Sequence, residues 1–291
     1  MAGNPNVRLR LANRPENVLL VRQALNGLAE TLRLDALELN DVTTAVTEAC
    51  NNVVLHAYGG AEGPLEVELS APAGSLDVLV RDRGIGIRPD ATREEHSSGG
   101  IGLPVIHALA QQVELRNLDG GGTEVEMHFT TSSGRSLDVP GNDRRPSGAE
   151  PSDASPRVAA LTVAPAPVAG SVLPRLLSAL AARAYFPSDR IDDAQTLAET
   201  LLTRIDDSAS ADEHLTITID VAPHNLELKL GPLESGRAST LLSSAGDAED
   251  DAGLSPLLER LGVGHEVALA GAGAGAGETL AVRLADGGRR G

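Results

Sequence analysis

The chain has 291 residues and a formal net charge of −17, because 41 acidic residues outnumber 24 basic ones. So acidic a chain lacks the basic footprint of a nucleic-acid binder, and we predict no direct contact with nucleic acid. A single cysteine excludes a disulfide within the chain. The first residues lack the apolar core of a signal peptide, and no apolar run reaches the ~18 residues of a membrane span, so we expect a cytoplasmic protein without membrane contact.

The first half of the chain is predicted to fold as two helices followed by strands and a third, short helix. Apolar residues recur at helical spacing from Val18 to Leu32, and Asp35 stands where it could cap a second helix. The later predicted elements are strands over 65–69 and 76–81, a helix over 104–112, and strands over 113–116 and 123–130. Helices followed by an antiparallel meander predict an α+β fold.

A segment rich in Ser, Pro, Gly and charged residues divides the chain in two. It covers residues 132–157 and has too few apolar side chains to bury a core, so we predict a flexible linker. The predicted domains are therefore residues 1–131 and 158–291.

The second half repeats the order of elements of the first. The stretch that begins at Val18 resembles the one at Val172, L-N-D-V-T-T-A-V-T-E from Leu39 resembles I-D-D-A-Q-T-L-A-E-T from Ile191, and S-L-D-V-L-V from Ser75 resembles N-L-E-L-K-L from Asn225. These similarities predict a tandem duplication. Two segments of the second half are predicted as loops, residues 237–253 and the Ala-Gly run from Ala270.

The second helix combines an apolar stripe with a polar edge. Glu48 and Asn52 are four residues apart and stack on one edge, and His56 is predicted nearer the core face. This edge is either an ordinary solvated face or one wall of an active site. Cys50, on another side, is predicted to be a small packing residue rather than a nucleophile.

Three glycine-rich turns follow: D-R-G-I-G-I from Asp82, S-S-G-G-I-G-L from Ser97 and G-G-G-T from Gly120. Glycine pairs are commonest in plain turns. At the start of a helix they also allow backbone N–H groups to approach phosphates.

The stretch E-A-C-N-N-V-V-L-H-A-Y, followed by D-R-G-I-G, G-G-I-G-L and G-G-T, resembles the four nucleotide-binding motifs of the GHKL ATPase superfamily. Within it, the chain most resembles the bacterial anti-sigma-factor serine-protein kinases. The H-A-Y ending and the short segment 88–98 favour that branch. The resemblance spans residues 7–131 and implies a two-layer α/β sandwich of the GHKL (Bergerat) type, here tandem duplicated.

The resemblance also implies roles for the polar edge of the second helix. Asn52 would coordinate Mg²⁺ through its amide oxygen, and Glu48 would act as the general base toward a serine hydroxyl. ATP and Mg²⁺ are the implied cofactors.

For the three turns, the resemblance implies contacts with the nucleotide. Asp82 would accept a hydrogen bond from the adenine amino group, with Thr123 beside it. The remaining implied contacts are Gly84 and Gly86 near the base, and Gly99, Gly100 and Gly102 around the phosphates.

The second half lacks these groups at the aligned positions. Glu48 corresponds to Thr200, Asn52 to Arg204, and Asp82 to Pro232. We therefore predict that residues 158–291 form a degenerate GHKL-like domain that binds no ATP and has a structural or partner-docking role. It could replace a second subunit in a one-chain pseudo-dimer, where the resemblance implies homodimers.

The resemblance implies an ATP-dependent serine kinase that phosphorylates an anti-sigma-factor antagonist and binds a sigma factor. One alternative is a non-catalytic, nucleotide-gated module that sequesters a transcription regulator. Another is a free-standing ATPase or histidine-kinase-type module.

Overall fold

The computed structural model describes residues 5–86, 102–137, 158–164, 166–206, 215–243, 254–270 and 277–285. These residues form two compact units, the first within residues 5–137 and the second within residues 158–285. Within the described ranges no helix is both long and apolar enough to cross a bilayer.

The first unit is a five-stranded antiparallel sheet in the order β4-β5-β3-β2-β1, with three α-helices and one π-helical turn. Its elements are β1 (Val7–Ala12), α1 (Pro15–Leu32), α2 (Ala36–Asn52), the π-helical turn (Val53–Ala57), β2 (Pro64–Ser70), β3 (Ser75–Asp82), α3 (Gly102–Leu109), β4 (Gln112–Asn117) and β5 (Thr123–Thr130). The α+β fold class is confirmed.

Two details differ from the sequence prediction. Strand β1 was not predicted, although Val7, Leu9 and Leu11 alternate with arginines and are buried. The third helix was predicted to reach residue 112, yet Gln112 pairs with His128 in the sheet. Pairing with β5 therefore overrides the helical pattern at that end.

Helix α2 begins where the sequence predicts. The Asp35 carboxylate accepts from the backbone N–H groups of Leu37 and Glu38, at 2.8 Å each, and the Glu38 carboxylate accepts from the N–H of Asp35. This capping box satisfies N–H groups that have no partner within the helix. Val42, Ala45, Val46 and Ala49 form the buried stripe of the helix.

One face of the first unit's sheet has a row of alternating charges across all five strands. Cross-strand partners place Arg10, Glu66, Arg81, Glu124 and Arg116 side by side. Glu66 is 5% exposed and Glu124 is 7% exposed, and both lie within 4 Å of at least two arginines. Opposite charges on neighbouring strands stabilise this register of the sheet.

Residues 132–137, the start of the predicted linker, form hydrogen bonds with the rest of the first unit. The N–H of Leu137 donates to the carbonyl of Ala71 at 2.9 Å, and the Arg135 guanidinium donates to the carbonyl of Thr31. The rest of the predicted linker, residues 138–157, lies outside the described residues.

The second unit has its own five-stranded antiparallel sheet, in the order β6-β7-β8-β10-β9. If the strands of each unit are numbered from one to five along the chain, both sheets have the same strand order, 4-5-3-2-1. Its elements are β6 (Val158–Val163), α4 (Ala166–Arg183), α5 (Ser188–Asp206), β7 (Leu215–Ala222), β8 (Asn225–Leu233), α6 (Arg237–Leu242), α7 (Leu254–Leu261), β9 (Gly264–Ala270) and β10 (Gly277–Ala285).

The prediction of a loop over residues 237–253 is wrong for its first part, because Arg237–Leu242 is the helix α6. The Glu278 carboxylate accepts from the N–H groups of Gly236 and Ala238, at 2.8 and 3.1 Å. This contact from β10 stabilises the start of a helix that has no cap of its own. Residues 244–253 lie outside the described part of the chain.

The turns after α1 and α4 share a backbone feature. Arg33 and Tyr185, just beyond the ends of α1 and α4, have positive φ angles of 60° and 63°. They are 152 positions apart (185 − 33), as are Glu48 and Thr200 (200 − 48). The stretches at Val18 and Val172, which resemble each other in sequence, begin 154 positions apart.

Candidate active site

Glu48 and Asn52 lie in the last turns of α2, and the start of α3 covers them. A Cβ atom built on Gly102 would lie 3.1 Å from Glu48 Oε2 and 3.3 Å from Asn52 Oδ1. Gly102 is buried, whereas Glu48 and Asn52 are half-buried. The structure therefore brings together a carboxylate, an amide and a glycine that are up to 54 positions apart.

The helix changes its winding directly after Asn52. Val53–Ala57 form a π-helical turn, a rare element that often occurs at functional sites. A π-helical turn holds more residues than an α-helical one, so the side chains beyond Asn52 rotate away from the α-helical pattern. His56 is consequently exposed, and its predicted position near the core is wrong.

Cys50 is fully buried, and burial raises the pKa of its thiol to about 12. It stays a thiol at neutral pH, while nucleophilic attack needs the thiolate. Its prediction as a packing residue is confirmed.

Asp82 ends β3 and is buried, with 4% of its surface exposed. Its carboxylate accepts from the N–H of Gly84 at 2.8 Å and from both the N–H and the hydroxyl of Thr123. Burial raises the pKa of Asp82, and these hydrogen bonds oppose the rise. The structure thus places Thr123 beside Asp82.

One glycine in the second motif and one in the fourth motif are required by close backbone contacts. A Cβ on Gly84 would lie 1.9 Å from the carbonyl oxygen of Ala57, and one on Gly122 would lie 2.2 Å from that of Asp82. Gly86 and Gly122 also have φ angles of +69° and +102°, a region that glycine adopts without strain. Side chains at Gly84 and Gly122 would push the turn away from its neighbours.

Two predicted residues cannot be placed. Gly99 and Gly100 lie outside the described residues, so only Gly102 of the third motif has a position in the site.

The donors at the helix end fit a magnesium ion. Mg²⁺ prefers oxygen ligands and is commonly held by one or two protein groups together with substrate phosphates and water. Asn52 Oδ1 supplies such an oxygen beside a carboxylate. Within the described ranges no group of three or more His, Cys, Asp or Glu side chains could hold a metal alone.

Thr200 and Arg204, which the sequence comparison pairs with Glu48 and Asn52, both lie on α5 of the second unit. In the sheet of this unit, Glu278 of β10 pairs with Leu233 of β8, next to an irregularity in the register.

Two residues of the site had no predicted role. Gly122 lies in the G-G-G-T turn directly before a predicted strand, and that position could have indicated a tight turn. Tyr58 was quoted within H-A-Y, yet its partners at Pro64 and Arg83 depend on tertiary contacts.

The helix layer, the antiparallel sheet and the polar site between α2, α3 and the end of β3 define a histidine kinase-like ATPase domain. A family model with the description "Histidine kinase-like ATPase domain" matches residues 11–129.

Similarity to curated proteins narrows the class. The chain is 30% identical to the serine-protein kinase RsbW of Bacillus subtilis (strain 168) over 127 residues, which cover 39% of this chain and 79% of that protein. It is 32% identical to the anti-sigma F factor of Pasteuria penetrans over 134 residues, which cover 43% and 89%. The solved RsbU and RsbW domains of Rv1364c from Mycobacterium tuberculosis are 22% identical, with 43% of this chain and 32% of that chain covered and a TM-score of 0.33.

The chain belongs to the family of bacterial anti-sigma-factor serine-protein kinases, and its first unit is the part that matches.

Proposed function

We propose that the chain is an ATP- and Mg²⁺-dependent serine kinase that phosphorylates an anti-sigma-factor antagonist and also binds a sigma factor. The observation that supports it most is the meeting of Glu48, Asn52 and Gly102 at one end of α2. The names of the relatives support the partners, an antagonist protein and a sigma factor.

The proposed transfer is a displacement at the γ-phosphorus of ATP. A serine hydroxyl oxygen of the antagonist forms the new O–P bond, the bond to the β–γ bridging oxygen breaks, and ADP leaves with the electron pair. Glu48 takes the hydroxyl proton. Asn52 would hold Mg²⁺, which neutralises charge on the phosphates when it is bound.

At the other end of the nucleotide, Asp82 would accept a hydrogen bond from the adenine amino group. Guanine has a carbonyl at that position, so two acceptors would face each other and GTP would be rejected. Thr123 and the N–H of Gly84 hold the Asp82 carboxylate in place. Gly99, Gly100 and Gly102 would contact the phosphates, and Gly84 and Gly86 the base.

We also propose that the second unit is a degenerate duplicate that binds no ATP. The shared strand order and the 152-position spacing of both helix pairs support a duplication. Thr200 offers no carboxylate at the place of the base. We further predict that the second unit replaces a second subunit. A stable dimer mass in light scattering at low concentration would contradict this prediction.

The test of the kinase proposal is incubation of the purified chain with labelled ATP, Mg²⁺ and a purified candidate antagonist. We expect acid-stable phosphoserine on the antagonist. Glu48→Gln should abolish transfer and spare ATP binding, because Gln is isosteric but takes no proton.

Other outcomes separate the alternatives. ATP-dependent sigma-factor binding without transfer would indicate a nucleotide-gated binding module. Acid-labile phosphate would indicate histidine-kinase chemistry. If Glu48→Gln lost ATP binding to the same degree as phosphoryl transfer, that result would contradict the assignment of Glu48 as the base.

A further inference from the structure

The hydroxyl of Tyr58 bridges the ends of two strands. It donates to the carbonyl oxygen of Pro64 at 2.5 Å and accepts from the N–H of Arg83 at 2.8 Å. Pro64 and Arg83 are the next pair beyond Leu65 and Asp82, the last partners of β2 and β3. Because proline has no N–H, this pair could share only one backbone hydrogen bond, and the Tyr58 hydroxyl stands in its place.

Space for the Tyr58 ring depends on Gly63. A Cβ on Gly63 would lie 2.1 Å from Tyr58 Cε1, and its φ angle is not in the positive region that would itself demand glycine. Asn13 holds the backbone of Gly63 with two hydrogen bonds. The Asn13 side chain accepts from the Gly63 N–H at 2.8 Å, and the Asn13 backbone N–H donates to the Gly63 carbonyl at 2.9 Å. The loop therefore cannot easily move away from the ring.

The bridge fixes the turn that begins with Asp82. The N–H of Arg83 is held by Tyr58, and the N–H of Ile85 donates to the carbonyl of Ala57 at 2.9 Å. Both anchors belong to the segment directly after α2. The turn with the adenine-binding carboxylate is thus tied to the helix that ends in Glu48 and Asn52.

The bridge needs a neutral hydroxyl that both donates and accepts. Burial raises the pKa of Tyr58 to about 12, so the side chain keeps its proton throughout the physiological range. Phenylalanine in its place would keep the ring and leave the Arg83 N–H and the Pro64 carbonyl without this partner.

We propose that Tyr58 is a positioning residue for adenine recognition, because its hydroxyl fixes the turn from which Asp82 reaches the base. The inference rests on the proposed function, since it presumes that Asp82 contacts the adenine amino group. Tyr58 itself touches no reacting atom.

The test compares the binding of Mg-ATP with that of purine riboside triphosphate, which lacks the adenine amino group. Calorimetry on the full chain gives both dissociation constants. In Tyr58→Phe we expect the Kd for ATP to rise about fivefold to tenfold, whereas that of the analogue changes little. The preference for ATP over the analogue should therefore shrink.

Tyr185→Phe is the matched control, because Tyr185 is the other of the two tyrosines and is 72% exposed. Its preference for ATP should equal that of the wild type. Gly63→Ala is the second variant and should shrink the preference as Tyr58→Phe does, because the added methyl group displaces the ring.

An unchanged preference in a folded Tyr58→Phe protein would overturn the inference, because a purely structural role weakens both ligands equally. If Tyr58→Phe does not fold, an unchanged preference in Gly63→Ala would overturn it. Wild-type chain that binds no ATP would overturn the proposed function and this inference with it.

Discussion

Thr123 donates two hydrogen bonds to the carboxylate of Asp82, one from its backbone N–H and one from its hydroxyl. Asp82 ends β3 and Thr123 begins β5, and these two strands pair with each other in the sheet. The pairing of the sheet thus holds the acceptor that the proposed function assigns to adenine.

This pair predicts how ATP binding depends on pH. Burial raises the pKa of Asp82 above its ordinary value of 3.8. Protonation removes an acceptor, so the affinity for ATP should fall on acidification with a midpoint above the ordinary aspartate value. Calorimetric titrations across the acid range measure the midpoint, with Asp82→Asn as the control that should lack it. An identical pH profile in Asp82→Asn would contradict the assignment.

The stability of the protein without ATP should respond to the same group with the opposite sign. A raised pKa means that the folded state binds this proton more tightly than the unfolded state. The contribution of Asp82 to stability is fully present below the unfolded pKa and is lost as the pH rises through the raised folded value. Thermal unfolding of wild type and Asp82→Asn across that window should differ in slope, and equal slopes would exclude the shift.

Gly102→Ala should slow phosphoryl transfer without lowering the stability of the protein to a comparable degree. The new methyl group would press on Glu48 Oε2 and Asn52 Oδ1. Displaced groups of this kind lower transfer rates by about tenfold to a hundredfold. Stability should change little, because Gly102 is the first residue of α3, where the preference of a helix interior for alanine applies only in part.

Gly170→Ala provides the matched control in single-turnover assays. Gly170 lies within α4, and a Cβ there would have no neighbour within 4 Å. It should gain up to about 1 kcal/mol of helical stability and leave transfer unchanged. Equal transfer in Gly102→Ala and wild type would show that the start of α3 does not constrain Glu48 and Asn52.

Calorimetry should give one ATP per chain. In the second unit, Thr200 and Arg204 would replace Glu48 and Asn52 in the proposed duplication, and the Glu278 carboxylate is already bonded to the N–H groups of Gly236 and Ala238. Asp82→Asn, which alters only the first unit, should therefore weaken all measurable binding. A second equivalent of ATP, retained in Asp82→Asn, would contradict a degenerate second unit.

Glu66→Gln should destabilise the first unit. Glu66 is 5% exposed and lies 3.7, 3.5 and 3.6 Å from the side-chain nitrogens of Arg10, Arg81 and Arg83. Because those arginines are partly exposed, the loss should be about 1–2 kcal/mol in the free energy of unfolding. Urea denaturation measures it.

Glu114→Gln is the comparison, since Glu114 pairs with Arg116 on an edge strand where its side chain is 67% exposed. Its effect should stay within about 0.5 kcal/mol. Equal effects of the two variants would show that burial does not strengthen the charged row.

The local features of the fold were predictable from the sequence. The capping box of Asp35 and Glu38 lies within four residues of the chain. Glu48 and Asn52 lie on one edge of α2 because of the helical repeat alone. The prediction of His56 near the core failed, since the π-helical turn broke that repeat. The loop predicted from Arg237 failed because a carboxylate 40 positions away supports the helix.

The sequence by itself therefore determined the α+β class, the family resemblance and the pair on α2, because these depend on spacings within one element or on short motifs. Only the tertiary structure decided that Gly102 covers that pair, that Thr123 holds Asp82, and that Tyr58 ties Pro64 to Arg83. These contacts join residues from different elements, and their distances are set by strand register and helix packing. Spacing along the chain does not specify them.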